Sequence, residues 1–514
     1  MASKSAPSSA PGPRPAWASR IGVVLAVAGS AVGLGNFLRF PVQAAQNGGG
    51  AFMIPYVVAV LLLGIPLMWV EWALGRFGGR YSHGSAPGIF DAVSGRRGVF
   101  KYLGAIGLLG PLLIMFYYVF IESWTLGYAW FSLTGDLETL KTPEHFKAFL
   151  KGYQGLESNE YFNGIGPAYV FYLITFAANF GIVYLGLTRG IERVNKIAMP
   201  LLAVLGIILT IRVFTLSAPA AHPEWTVGAG MGFLWNPDFQ ALKNPTTWLK
   251  AAGQVLFTLS VGIGVILTYA SYLKPKDDIA LSGLTAAATN TFFEVIIGGS
   301  LVITAAVVFF GPADAVSIAQ SGAFNLGFVT MPQIFSGMAA GPVFCFLWFA
   351  LLFIAGVTSS ISLLQPAVSF LEDEFHLTRR RAVAVTAWVC FLMSQLAIFG
   401  LKDGAVDILD FWGGTLALVV FALIELILFG WVFGIDRGWN ELHLGAEIRI
   451  PAFYKGVIQY VTPTYVLIIL GGFAYDQWGA AGATRLSIAV LLGGLCWLIH
   501  YSWKNHPKQE VPRQ

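Results

Sequence analysis

Long apolar segments recur along the whole 514-residue chain, and they constrain its fold more than any other feature. A helix needs roughly 20 apolar residues to cross a bilayer, and about twelve segments reach that length and hydropathy. They lie near residues 17–45, 51–79, 99–131, 167–187, 193–216, 247–273, 279–310, 341–375, 381–400, 405–434, 452–473 and 482–503. We therefore predict an all-α polytopic membrane protein that crosses the bilayer about twelve times.

The composition agrees with a single membrane domain. Hydrophobic residues make up 56% of the chain and charged residues only 11%, whereas a soluble chain would carry about a quarter charged residues. The net charge of +4 is small and scattered, so it gives no reason to expect a nucleic-acid partner. The three cysteines lie in apolar segments without metal-ligand spacing. No nucleophile–base pair is apparent, and we expect no enzyme activity.

Basic residues concentrate in the connections that would share one side of the membrane. They precede the first span and follow the second, fourth, sixth, eighth and last spans. Because cytoplasmic loops carry an excess of Lys and Arg, we predict a protein of the inner (plasma) membrane with both termini in the cytoplasm. Residues 1–16, rich in Pro, Ser and Ala, would be a disordered cytoplasmic tail, and residues 504–514 a second tail.

The first apolar segment contains a stretch that is a poor helix. Gly29, Gly33 and Gly35 lie close together, and each costs about 1 kcal/mol relative to Ala inside a helix. A helix that opens here frees backbone groups that lipid cannot satisfy. Free carbonyls bind cations, and the N-terminus of a half-helix binds anions. The same glycines could instead serve close helix packing, and this stretch alone does not decide between the two.

A second interrupted segment lies in the middle of the sixth apolar run. There, Thr258 and Ser260 precede a Gly-x-Gly at Gly262 and Gly264. Matched glycine-interrupted segments in two halves of a chain indicate a transporter's midplane site. Because each half would hold an odd number of spans, the halves would have inverted topology. We expect a first five-helix repeat at 17–216, a second at 217–434 and two peripheral helices at 435–503.

Other polar side chains lie inside the predicted spans. Thr358 and Ser359 share one face of the eighth span, where two hydroxyls suit Na⁺, although such hydroxyls also bond back to their own helix. Asn290 and Glu294 are one turn apart in the seventh span, and an ionisable group there is a functional candidate. Glu71, in the second span, could accept from N–H groups freed by a broken helix.

Ordered motifs along most of the chain resemble those of the neurotransmitter:sodium symporter family, especially its bacterial members. The resemblance implies a LeuT-type inverted repeat of two five-helix halves with broken first and sixth helices. The motifs are WASRIGVVLAVAGSAVGLGNFLRFPVQAAQNGGGAFMIPY (17–56), YYVFIESWTLG (117–127), RGIERVNKIAMP (189–200), GQVLFTLSVGIG (253–264), SGLTAAATN (282–290), GAFNLGF (322–328), AGVTSSISLLQP (355–366) and DFWGGT (410–415).

The resemblance implies two sodium ions bound by oxygen atoms. The first site would use the carbonyl of Ala31, the carbonyl and hydroxyl of Thr258, the side chains of Asn36 and Asn290, and the substrate's carboxylate. The second would use the carbonyls of Gly29, Val32 and Ala355 and the hydroxyls of Thr358 and Ser359. A carboxylate shared with the first ion would couple the two binding events, because each raises the other's affinity.

The resemblance also implies an amino-acid substrate. Its carboxylate would meet the N–H groups of Leu34 and Gly35 and the hydroxyl of Tyr118. Its ammonium would meet the carbonyls of Ala31, Phe257 and Thr258 and the hydroxyl of Ser260. The remaining pocket residues would be Ser30, Ile114, Ile263, Ser359 and Leu363. One methylene in such a pocket is worth only about 1–3 kcal/mol, so aliphatic substrates are expected and aromatic ones stay open.

Gates and ion dependence are implied in the same way. Arg39 and Asp410 would pair above the site, with Tyr118 and Phe257 as a hydrophobic lid. Arg14 and Asp373 would pair at the cytoplasmic mouth, near Trp17 and Tyr272. Monoamine carriers of the family place Asp at Gly33, so Gly favours a substrate with its own carboxylate. Glu294 replaces a small polar residue of chloride-dependent members, which predicts chloride independence.

These inferences predict a secondary active symporter that couples Na⁺ to neutral amino acids by alternating access. Two other functions on the same fold are kept as alternatives, an ion channel and a non-transporting amino-acid sensor. The expected partners are a small neutral amino acid and the lipid bilayer. The sequence does not decide between a monomer and a homodimer.

Overall fold

The computed structural model describes residues 15–95, 98–477 and 482–505. Within these ranges the protein is helical, and its only β-type pairing is an isolated bridge between Gly49 and Pro237. Ten helices are long and apolar enough to cross a membrane, and a bent helix pair at the start raises the number to eleven. The sixth predicted crossing is missing from that count because its helix is interrupted and each half is short.

We number the crossings span 1 to span 12. Span 1 comprises Arg20–Ala31 and Leu34–Gln46, and span 6 comprises Pro245–Thr258 and Val265–Ala270. Spans 2 to 5 are Gly50–Gly79, Phe100–Thr134, Gly166–Tyr184 and Leu187–Phe214. Spans 7 to 12 are Ala280–Gln320, Gly341–Phe375, Arg379–Phe399, Ala405–His443, Phe453–Gly472 and Arg485–Asn505. The helices of the connections include Ala86–Val93, Pro143–Tyr153, Val227–Trp235 and a helical stretch at 323–336.

The spans differ in how much of their surface faces the protein. The apolar windows of spans 3 and 7 are 89% and 83% buried, whereas those of spans 4, 5, 9 and 11 are 33–39% buried. Span 12 is buried over only 11% of its window. Spans 3 and 7 therefore belong to the interior of the bundle, and the less buried spans form a periphery that suits lipid.

Span 1 breaks where the sequence predicts. Val32 and Gly33 leave the helical region, with ψ of 88° and −165°. The two half-helices meet at an angle of 47°. The second half begins at Leu34, so its first N–H groups have no partner within the helix. They lie in the interior of the protein.

Span 6 has a longer break, from Leu259 to Gly264. Gly262 and Gly264 both have a φ of +76°, which costs an L residue other than glycine conformational strain. A Cβ on Gly262 would also lie 2.5 Å from the carbonyl oxygen of Leu418. The N–H of Gly262 donates to Glu71 at 2.5 Å. The predicted capping role of Glu71 is thereby confirmed.

Candidate functional site

A cavity lies between the two breaks, in the middle of the bundle. All the residues predicted to contact the substrate line it except Leu34. The lining residues are Ser30, Ala31, Gly33, Gly35, Asn36, Ile114, Tyr118, Phe257, Thr258, Ser260, Ile263, Ser359, Leu363 and Leu418. The structure thus brings together residues from spans 1, 3, 6, 8 and 10 that are far apart in the sequence.

The second half of span 1 begins at the cavity and brings polar groups to it. The N–H of Leu34 donates to the Tyr118 hydroxyl at 3.2 Å, which leaves the phenol proton available to a further acceptor. Gly35 follows in the same turn and lines the cavity. A helix N-terminus is a site for an anion, and here a hydroxyl donor accompanies it.

Hydroxyl groups connect the broken helices to each other and to span 8. Ser260 donates to the carbonyl oxygen of Ser30 at 2.9 Å. The Ser30 and Ser362 hydroxyls lie 2.7 Å apart. Ser362 was not among the predicted residues, although it lies one turn from Thr358 and Ser359. Ser30 therefore has a partner on span 8 that supports the opened segment of span 1.

Apolar side chains also line the cavity. They are Ile114, Ile263, Leu363 and Leu418, and each is at most 5% exposed. Leu418, on span 10, was missed because an apolar residue in an apolar span carries no functional signal. A solute in this cavity would have a charged end and a hydrophobic end.

Three of the predicted ligands of the first sodium ion form one hydrogen-bonded chain. Asn36 donates to Asn290 Oδ1 at 2.8 Å, and Asn290 donates to Thr258 Oγ1 at 3.1 Å. Asn36 Oδ1 accepts from the N–H of Gly33 at 3.0 Å. All three side chains are at most 2% exposed. This neutral, buried, oxygen-rich cluster fits the predicted sodium ion, whose charge no side chain in it supplies or opposes.

The predicted second sodium site lies between the first half of span 1 and span 8. Thr358 donates to the carbonyl oxygens of Ile354 and Ala355, both at 3.1 Å. The Thr358 hydroxyl thus bonds to its own helix, which was the alternative to a sodium ligand in the sequence analysis. Because the hydroxyl donates in these bonds, its lone pairs stay available to a cation. A Cβ on Gly29 would lie 3.2 Å from Thr358 Cβ. The backbone of Gly29 thus packs closely against span 8 at Thr358.

Glu294 lies one turn after Asn290 and is fully buried. Gln254 donates to Glu294 Oε1 at 2.6 Å, and the Tyr56 hydroxyl donates to Oε2. A carboxylate is therefore held within one helical turn of the predicted sodium ligand Asn290. Tyr56 and Gln254 were not predicted, although Gln254 stands one turn before Thr258.

The predicted outer gate residues line a second cavity, on the side of the site away from the N-terminus. The Arg39 guanidinium lies 4.1 Å from the centre of the Phe257 ring. Asp410 accepts from the Tyr117 hydroxyl at 2.6 Å. No ion pair between Arg39 and Asp410 occurs in the described part of the chain. From the sequence, Tyr118 was assigned to the outer gate, but its neighbour Tyr117 was not.

On the N-terminal side, aromatic contacts cover the site. Trp17 donates to the carbonyl oxygen of Tyr269 at 2.9 Å and packs edge-on against its ring. The Tyr272 hydroxyl lies 2.6 Å from the Ser369 hydroxyl. These contacts tie the start of span 1 to the second half of span 6, and that half to span 8. Arg14 lies outside the described residues, and so does its predicted pairing with Asp373.

The fold and this site define a membrane transporter with broken central helices. The family model of the sodium:neurotransmitter symporter family matches residues 14–147 and 148–478. An uncharacterised sodium-dependent transporter of Methanocaldococcus jannaschii is 31% identical over 462 residues, covering 89% of this chain and 90% of that protein. The sodium-dependent nutrient amino acid transporter 1 of Drosophila melanogaster is 27% identical over 510 residues, covering 88% and 76%.

Solved structures agree with these relatives. The crystal structure of MhsT in complex with L-phenylalanine matches with a TM-score of 0.75 and 30% identity, covering 89% of this chain and 99% of that one. The chain belongs to the sodium:neurotransmitter symporter family. It is a multi-pass membrane protein with the LeuT-type fold, from a family of sodium-coupled transporters rather than enzymes.

Proposed function

We propose that this protein imports neutral amino acids together with Na⁺ by alternating access. The observation that carries the proposal is the set of groups that one central cavity brings together. The start of the second half of span 1 and the Tyr118 hydroxyl meet there, Asn36 and Thr258 of the Asn36–Asn290–Thr258 cluster line it, and so do Ile114, Ile263, Leu363 and Leu418. These three kinds of group match a carboxylate, a bound cation and a hydrophobic side chain.

The substrate's carboxylate would accept from the N–H groups of Leu34 and Gly35 and from Tyr118. A Cβ on Gly33 would lie only 3.0 Å from the Tyr118 hydroxyl and 3.3 Å from the Ser359 hydroxyl. This crowding supports a substrate that supplies the carboxylate itself, since an acidic side chain at Gly33 would compete for the same space. The ammonium would meet the carbonyls of Ala31, Phe257 and Thr258 and the Ser260 hydroxyl.

Two sodium ions would be co-transported. The first would bind Ala31, Asn36, Thr258 and Asn290 and complete its shell with the substrate's carboxylate. Because the ion and the carboxylate would each stabilise the other's binding, the inward Na⁺ gradient would drive uptake. The second ion would join Gly29, Val32, Ala355, Thr358 and Ser359, and so hold span 1 against span 8.

The apolar residues Ile114, Ile263, Leu363 and Leu418 favour substrates with aliphatic side chains. The proposal also includes substrates with aromatic side chains. MhsT was solved with L-phenylalanine, and the Drosophila relative is named for nutrient amino acids. Glu294 would supply the negative charge that chloride provides elsewhere, which makes transport chloride-independent. Its two hydrogen bonds, from Gln254 and Tyr56, support that role.

The proposal includes the topology drawn from the sequence. The repeats would cover 17–216 and 217–434, the peripheral helices 435–503, and the tails 1–16 and 504–514. Both termini would lie in the cytoplasm, the protein would reside in the inner (plasma) membrane, and the gates would be Arg39 with Asp410 and Arg14 with Asp373 near Tyr272. Copies could pair as a homodimer, which the mass of the detergent-solubilised protein would reveal.

Equilibrium binding to purified protein tests the site. A panel of radiolabelled neutral amino acids would be measured in Na⁺ and in K⁺ at equal ionic strength. We expect saturable binding of one or a few hydrophobic amino acids in Na⁺ only. Equal binding in both salts would refute the shared site. Binding of amines that lack a carboxylate would refute the assignment of Leu34, Gly35 and Tyr118.

A further inference from the structure

Asn195, on span 5, has a buried oxygen atom that nothing in the described structure satisfies. Its amide nitrogen donates to the carbonyl oxygen of Ile191 at 2.9 Å, which fixes the orientation of the amide. Its Oδ1 has no hydrogen-bond partner, although the side chain is 0% exposed. A buried acceptor without a partner is disfavoured, so this oxygen requires an explanation.

The oxygen lies against the backbone of span 1, where span 1 packs on span 8. A Cβ built on Gly29 would lie 2.1 Å from Asn195 Oδ1 and 3.2 Å from Thr358 Cβ. The amide oxygen therefore occupies the space beside the Gly29 Cα, and the same face of Gly29 meets Thr358 on span 8. Glycine at position 29 is what admits the oxygen, because a Cβ there would overlap it.

The Thr358 hydroxyl offers no proton to this oxygen, because it donates to carbonyl oxygens of its own helix. No donor among the described residues therefore satisfies Asn195 Oδ1. A cation is the other kind of partner that an amide oxygen accepts, and a neutral amide oxygen suits a hard cation.

We propose that Asn195 Oδ1 is a further ligand of the second sodium ion, contributed by span 5. This inference rests on the proposed second site, whose other ligands come from spans 1 and 8 alone. With Asn195 included, one ion connects three spans. Release of that ion would then free span 5 as well as separate span 1 from span 8.

The chemistry predicts an effect on ion selectivity. An added oxygen raises the coordination number, and higher coordination suits Na⁺ better than the smaller Li⁺. Removing the oxygen should weaken Na⁺ more than Li⁺ and so reduce the discrimination between them. A role in packing alone would not change that ratio.

The test uses the full-length protein with Asn195→Ala and Asn195→Asp. Direct ²²Na⁺ binding and the Na⁺-dependent rise in melting temperature are measured for each variant, and both are repeated with Li⁺. We expect Asn195→Ala to weaken Na⁺ binding roughly tenfold, as the loss of a group next to a metal typically does, and to lower the Na⁺/Li⁺ ratio. Asn195→Asp should strengthen cation binding, because it places a negative charge at the same atoms.

Thr175→Val is the matched control, since Thr175 also has a buried oxygen without a partner but lies on span 4. It should leave the Na⁺ requirement unchanged. Thr358→Val tests the second sodium site itself, separately from the role of Asn195. If Thr358→Val does not weaken Na⁺ binding, the second site itself is wrong. If Thr358→Val weakens it and Asn195→Ala changes only the melting temperature, the second site stands and Asn195 is a packing residue.

Discussion

A single residue, Thr258, is a proposed ligand of both the sodium ion and the amino-acid substrate. Its hydroxyl accepts from Asn290 at 3.1 Å, in the chain that begins at Asn36. Its carbonyl is a proposed partner of the substrate's ammonium. One side chain is therefore expected to affect the binding of both the ion and the amino acid.

Thr258→Val tests this coupling. The change keeps the shape of the side chain but removes the hydroxyl oxygen, so Na⁺ and substrate should both bind at least about tenfold more weakly, which is a loss of about 1.4 kcal/mol each. Equilibrium binding titrations of each ligand at several concentrations of the other would measure the effect. Thr386→Val is the control, because Thr386 is equally buried but donates only to Ala382 on span 9. Loss of one affinity without the other would contradict the shared site.

Glu294 gives the second prediction at this scale. Glu294→Ser removes the carboxylate held by Gln254 and Tyr56, and with it the negative charge beside the first sodium site. Na⁺-driven uptake by the variant should fall to background in gluconate buffer and recover in chloride. The unaltered protein should take up substrate equally well in both buffers. A variant that ignores chloride would show that Glu294 has another role.

The breaks in spans 1 and 6 are the elements on which the site depends. Glycine and small polar residues interrupt both spans in the sequence, so the breaks could be predicted from local helix propensity. Neither half of span 6 is long enough to cross a membrane by itself, because of the same interruption that marks this span in the sequence. The breaks are also why Glu71 was expected to accept from freed N–H groups, and the structure shows that the donor is the N–H of Gly262.

Gly262→Ala tests the structure of the span 6 break. At a φ of +76° an alanine is strained, and its Cβ would lie 2.5 Å from the Leu418 carbonyl oxygen. We expect the strain alone to destabilise the protein by about 1–3 kcal/mol, seen as a lower melting temperature in detergent. Gly471→Ala is the control, because a Cβ there meets no atom within 4 Å. Equal melting temperatures for the two variants would contradict the strained break.

Other parts of the site could not be predicted, for physical reasons. The sequence pattern of span 10 gives no sign that Leu418 faces the cavity, and that of span 5 gives no sign that Asn195 faces span 1. Arg39 and Asp410 do line the same cavity. The sequence does not show which of several nearby groups each charged side chain contacts. Arg39 lies over the Phe257 ring and Asp410 accepts from Tyr117. Their pairing remains a prediction that depends on the conformation of the transporter.

At the scale of the whole molecule, the two faces of the site differ. Trp17 joins the Tyr269 backbone on the N-terminal side, and Arg20 forms an ion pair with Asp278 at 2.8 Å. On the other side a cavity lined by Arg39 and Asp410 lies directly above the site. Alternating access would require the N-terminal contacts to open while the opposite cavity closes. The proposed substrate and sodium ions would bridge spans 1, 6 and 8 and so control that exchange.

The most direct test of Na⁺-coupled symport is uptake of the best-binding amino acid into proteoliposomes. We predict accumulation above the external concentration when Na⁺ is high outside, and only equilibration when Na⁺ is equal on both sides. Na⁺-dependent binding without any accumulation would contradict symport and indicate a sensor. An ion current that persists without amino acid would contradict it in favour of a channel.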